Sequence, residues 1–214
     1  MPLFYPIHIN IKGRKCLVVG GGKTAERKVN RLVRYGGKVV VVSPVVTSSI
    51  ENLSYKKRVV WYKRGYRSTD LHQAFLVFCA TNNQELNKKI SRKAKRKGIL
   101  VNVVDSLSEC SFISPALVER GCLTISISTE GLAPLLSRKI RKELGISYGQ
   151  EYRHYTKLIA QARNTIVRDK GISAREKRKR LECLLSMNLI SRLKSGERVT
   201  PQKVLKALER SEIC

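Results

Sequence analysis

Three short stretches of the 214-residue chain carry residue types and spacings suited to chemistry. The first, Gly20-Gly21-Gly22-Lys23-Thr24-Ala25, fits the pattern G-x-G-x-x-G/A. In that pattern Gly20 permits a tight turn and Gly22 lets backbone N–H groups approach a pyrophosphate, while Ala25 lets the next helix pack closely on a sheet. The helix N-terminus then faces the phosphate charge. The alternative is a glycine-rich turn in an unrelated α/β domain. The second stretch, Asn102-Val103-Val104-Asp105, ends an apolar run on a lone carboxylate. Asp105 there suits either a general base or an Asx turn leaving a strand, and spacing does not separate the two. The third, Ser126-Ile127-Ser128-Thr129-Glu130-Gly131, presents hydroxyls that could bind carboxylates; Ser128 or Thr129 could equally cap the helix that follows. His8, His72 and His154 are scattered, and cysteines 16, 79, 110, 122, 183 and 214 form no CxxC pair. Neither a metal site nor a disulfide framework is expected from such spacing.

Elements must hold these stretches in place. Residues 15–20 form an apolar run ending in glycine, as a buried parallel strand does. A helix is predicted from Lys23 to about Tyr35, with Ala25, Val29, Leu32 and Val33 at helical spacing and Gly36-Gly37 as its stop. Strands are predicted at Val39–Val42, Arg58–Tyr62, Phe75–Ala80 and Ile99–Val104, with a helix over Gln84–Lys97. This alternation describes a doubly wound, Rossmann-like parallel sheet, an α/β fold. In such a sheet the end of the second strand usually carries an acidic ribose ligand; Ser43 stands there instead, followed by Pro44 and Val45 near the expected adenosine. The period then changes. Ser111–Glu119 and Cys122–Thr129, separated by Arg120-Gly121, are expected to form a hairpin, and helices follow from Pro134 onward with breaks near Gly171 and Ser195-Gly196. The expected division is residues 1–112, a small α+β domain over 113–145, and a helical domain over 146–214.

The formal net charge of +27 limits the partners. Residues 1–137 carry +15 and residues 138–214 carry +12, so the excess is spread along the chain and not gathered in a tail. The clusters 92–97 and 175–180 lie on predicted helices as solvated faces. A polyanionic small substrate accounts for such a charge as well as nucleic acid does, and nucleic acid is not the expected partner. No apolar run approaches the roughly 20 residues of a membrane span. The start, Met1-Pro2-Leu3-Phe4-Tyr5-Pro6, has none of the features of a signal peptide, so a cytoplasmic protein is expected.

The stretch from Gly20 to Lys28 resembles the nucleotide-binding motif of the siroheme synthase N-terminal module, the precorrin-2 dehydrogenase family. The likeness continues through Ala80-Thr81-Asn82-Asn83, Asn102 to Asp105, Ser111-Phe112-Ile113-Ser114-Pro115-Ala116, and Ser128 to Pro134, in order across residues 3–145. One departure is Thr129-Glu130, where many members have serine and glycine. The resemblance implies NAD-dependent oxidation of precorrin-2 to sirohydrochlorin by a homodimer, with Fe²⁺ as a further substrate in members that also insert metal. It gives Asp105 the catalytic role and assigns the turn from Gly20 to Ala25, Ser43-Pro44-Val45, Thr81 and Asn102 to the cofactor. Ser111, Phe112, Ser128 and Thr129 fall to the substrate. The chain is too short to hold the methyltransferase module fused onto some relatives. A rival of another class is a non-catalytic nucleotide-binding regulator acting on nucleic acid, against which stands the lack of a convincing helix-turn-helix.

Overall fold

The computed structural model describes residues 4–209; Met1, Pro2 and Leu3 of the leader reading and Cys214 lie outside them. The chain divides into two compact units, Met1–Ser114 and Pro115–Cys214.

In the first unit, β1 (Lys15–Val19), β2 (Lys38–Val42), β3 (Val59–Tyr62), β4 (Leu76–Cys79) and β5 (Leu100–Val103) form one parallel sheet in the order β3-β2-β1-β4-β5. Period-two alternation gives each face its own core. Cys16 and Val18 point toward Ala25, Val29 and Leu32 of α1 (Lys23–Arg34), with Ile50 of α2 (Ser48–Tyr55) in the same cluster. Leu17 and Val19 point the other way, toward Ile90 and Ala94 of α3 (Gln84–Arg96). Strands β1, β4 and β5 are therefore buried on both faces, which is why they read as continuous apolar runs, while β3 at the sheet edge exposes Val60 and Tyr62. Strand order reverses between β1 and β4, so a crevice opens outside the carboxyl ends of those two strands. Burial pushes the Cys16 and Cys79 thiols up to about 11 and about 12, and both behave as small hydrophobes. Burial opposes ionisation of Asp70, yet hydrogen bonds from Arg64 and from Arg67 N–H, with the charges of Arg64 and Lys15, hold its carboxyl below the usual range.

Two features differ from expectation. Helix α2 is absent from the sequence reading because it is short and mostly polar, burying only Ile50. The predicted strand Ser111–Glu119 begins only at Ala116. Its first residues do something else: β5 is an edge strand, and residues 110–112 cover that edge. Val101 N–H donates to Ser111 Oγ at 2.7 Å, Val103 N–H donates to Cys110 Sγ at 3.2 Å, and Ser111 N–H donates back to Val101 O at 2.8 Å.

In the second unit, β6 (Ala116–Arg120) and β7 (Leu123–Ile127) pair antiparallel around Gly121, whose φ of +62° is the left-handed region a tight hairpin needs. Helix α4 (Pro134–Ser147) carries proline at its first position and follows directly. Helices α5 (Glu151–Arg168), α6 (Ala174–Ser186), α7 (Leu189–Lys194) and α8 (Pro201–Glu209) share a core of Leu158, Ala162, Ile166, Leu184, Leu189 and Val204. The break between α6 and α7 at Met187–Asn188 is a further stop beyond the two expected. No helix among the described residues is long and apolar enough to cross a membrane.

Candidate functional site

The turn after β1 is built by close backbone contact. Gly20 has φ +117°, and a Cβ there would lie 2.2 Å from Ala80 O; a Cβ on Gly21 would lie 2.0 Å from Val45 O. These two glycines let the loops after β4 and β2 close onto the turn. Gly22 differs: beyond its immediate chain neighbours, no protein atom lies within 4 Å of a Cβ built on it. Gly22 is also the N-cap of α1, and no side chain caps that end. The first-turn N–H groups and the positive end of the helix dipole therefore face a bare backbone surface, as phosphate binding requires. The residues present fit a dinucleotide pyrophosphate.

Thr24 accepts a hydrogen bond from Arg27 at 3.0 Å, Lys23 reaches Glu26 at 3.8 Å, and Ala25 is fully buried against the sheet. On the β2 side, Ser43 is buried and its hydroxyl donates to Val45 O at 2.7 Å, while Trp61 Nε1 donates to Ser43 O at 2.9 Å. Pro44 and Val45 are part of the bend that this bond holds. On the β4–β5 side lies a cleft of about 250 Å³, whose lining includes Thr24, Ala80, Thr81, Asn87, Val104 and Asp105. Thr24 and Thr81, expected at the cofactor, and Asp105, expected in catalysis, line this one cleft. Asp105 is exposed, and its backbone is left-handed at φ +60°, a conformation that Asp and Asn tolerate better than most residues.

Other expected residues go elsewhere. Asn102 is buried, and its Nδ2 donates to Phe112 O at 3.0 Å, so its side chain joins the segment covering β5 and does not line the cleft. The Ser111 hydroxyl is spent on the β5 edge. Phe112 packs edge-on against Phe78, ring centroids 5.3 Å apart. Ser128 and Thr129 belong to the second unit, where Ser128 Oγ accepts from Glu130 N–H at 3.0 Å and Thr129 Oγ1 from Ala133 N–H at 3.3 Å; both hydroxyls hold the turn into α4. Among the described residues no group of three or more His, Cys, Asp or Glu is placed to hold a metal.

Two residues missed from sequence stand out. Lys28 lies 5.0 Å over the Phe78 ring; burial, then the charges of Arg31 and Arg27, lower its ammonium to about 8. Asn87 is buried on α3 in line with Ile90 and Ala94, and a polar residue on that apolar stripe was the available signal. A wider hollow of about 500 Å³ in the second unit, where Lys194 meets Glu151 at 3.5 Å, contains none of the expected residues.

Comparison with known proteins agrees with this geometry. The NAD(P)-binding family model (NAD-binding 7) matches residues 7–116, and the model described as sirohaem biosynthesis protein central matches residues 120–145. The siroheme synthase of Vesicomyosocius okutanii is 37% identical over 163 residues, covering 76% of this chain and 35% of that protein. That of Pseudoalteromonas atlantica is 40% identical over 141 residues, covering 66% and 30%. The chain therefore spans about a third of the length of these relatives. The solved structure of SirC, a precorrin-2 dehydrogenase, superposes with a TM-score of 0.81 at 29% identity, covering 97% of this chain and 100% of that one. With the NAD(P)-binding model alone spanning half of its residues, the chain belongs to the family of precorrin-2 dehydrogenases and siroheme synthase N-terminal modules.

Proposed function

We propose that the protein oxidises precorrin-2 to sirohydrochlorin, with NAD⁺ as the electron acceptor. The observation that carries this reading is the single cleft joining Thr24 of the glycine turn to Thr81 and Asp105. It lies where open α/β sheets receive ligands. The likeness to SirC over both full chains supports the substrate.

When bound, the nicotinamide ring supplies the two-electron sink. The backbone from Gly20 to Ala25 holds the pyrophosphate, with Gly22 leaving room for it and Lys23 adding a cation at the rim. The bend at Ser43-Pro44-Val45 takes the adenosine. NAD is favoured over NADP because residues 43–50 carry no cation to meet a 2′-phosphate, and Arg64, at the end of β3, is committed to Asp70. Asp105 acts as the base: its exposed carboxylate accepts a proton that the macrocycle loses on oxidation. The many carboxylates of the substrate suit a protein of formal charge +27.

A homodimer is part of the same proposal. Helix α4 buries none of its 14 residues, and Leu135 and Ile146 stand 73% and 83% exposed. A lone two-stranded hairpin is marginal in water, and a second copy packed on β6, β7 and α4 would cover both these apolar side chains and the hairpin edges. The test is incubation with precorrin-2 and NAD⁺, following the absorption spectrum, then addition of Fe²⁺ to read metal insertion separately. Formation of sirohydrochlorin with matching NADH supports the reading; an unchanged spectrum refutes it.

A further inference from the structure

Asn87 sits on the stripe of α3 that otherwise carries Ile90 and Ala94 into the core, and it is only 3% exposed. A buried amide must satisfy both of its ends. Asn87 does so on one residue: Nδ2 donates to Thr81 O at 2.9 Å, and Oδ1 accepts from Thr81 Oγ1 at 2.7 Å. Thr81 Oγ1 also accepts from Asn83 N–H at 3.2 Å. The Thr81 hydroxyl proton is therefore spent inside the protein, leaving the backbone of this segment as its contribution to the cleft. Ala80 is held from the other side, its N–H donating to Val19 O at 2.8 Å and its carbonyl seated against Gly20.

We propose that Asn87 is a positioning residue for the nicotinamide half of the dinucleotide, acting through Thr81 to fix the backbone from Ala80 to Asn82. The inference rests on the dinucleotide reading above. A dinucleotide straddling the point where strand order reverses places one half over β1 and β2 and the other over β4 and β5, the strands that this segment follows. A segment already held in one conformation need not be ordered when the ligand arrives, and that saving appears as affinity.

The experiment uses the full chain carrying Asn87→Leu, close in size but without the amide, or Thr81→Val. Each is titrated with NAD⁺ and with ADP-ribose, which lacks the nicotinamide. Each variant is expected to bind NAD⁺ about tenfold more weakly while ADP-ribose affinity stays within about twofold. The double variant should be no worse than the weaker single one, since both remove the same clamp. Amide exchange at Asn83, whose N–H donates to Thr81 Oγ1, should quicken in each. Equal losses for both ligands, additive losses, or unchanged NAD⁺ affinity would overturn the proposal. If Asn87→Leu does not fold, Thr81→Ser and Thr81→Val decide: serine keeps the hydroxyl and should retain affinity, and a loss as large as valine's refutes the clamp. A parent protein that binds neither ligand refutes the dinucleotide reading instead, and amide exchange then decides the clamp alone, with unchanged rates overturning it.

Discussion

Helices α1 and α4 follow strands in much the same way, yet they meet opposite fates. Helix α1 lays Ala25, Val29 and Leu32 onto a sheet that buries them, while α4 carries Leu135, Leu136, Ile140 and Leu144 and buries none of them. The first unit closes its apolar surface with its own helices; the hairpin beside α4 is too small to do so. The uncovered surface is where a partner adds most. The same contrast recurs on a smaller scale in the glycine turn, where Gly20 and Gly21 are packed against protein and Gly22 is not.

Gly22→Asp should show the largest effect. Nothing in the protein opposes its Cβ, and the backbone at φ −78° suits any residue, so thermal stability should hold. An uncompensated charge against the phosphates should cost NAD⁺ affinity on the order of 3–5 kcal/mol by calorimetry. Unchanged affinity would remove the pyrophosphate from this turn.

Leu17→Ala and Leu135→Ser test the comparison between the two helices directly. Leu17 is fully buried beneath α3, and truncating it should lower the urea unfolding free energy by about 2–5 kcal/mol. Leu135→Ser should leave monomer stability within about 0.5 kcal/mol and instead shift the dimer–monomer equilibrium toward monomer in sedimentation. A parent protein that sediments as a monomer at micromolar concentration would break the comparison.

Lys28→Met should give its effect a pH signature. The folded state holds the Lys28 ammonium at about 8, against 10.5 for an ordinary lysine. Between those values the unfolded chain binds more protons, so stability of the parent relative to Lys28→Met rises with pH through that window. At pH 7 the methionine variant should be the more stable, because it buries no charge. Parallel stability curves from pH 7 to 10.5 would contradict the burial of this ammonium.

The first unit was legible because its signals are local: apolar runs, a glycine turn and helical periods lie close together between residues 15 and 104. Helix α2 escaped because only Ile50 anchors it. The destinations of Asn102 and Ser111 escaped for a different reason. Both side chains serve the outer edge of β5, and no residue in the segment announces that β5 has no outer neighbour. Asn87 did leave a trace, as a polar residue on an apolar stripe, but its meaning depends on Thr81 lying opposite.

The central claim is that the cleft beside the glycine turn oxidises precorrin-2 with Asp105 as its base. Single-turnover oxidation by NAD⁺, compared between the parent and Asp105→Asn, tests it most directly. Asparagine tolerates the left-handed backbone at position 105, so fold and NAD⁺ affinity should be kept. The amide cannot take up a proton at neutral pH, so the rate should fall by about 10²–10⁴-fold. An undiminished rate in Asp105→Asn would contradict the account.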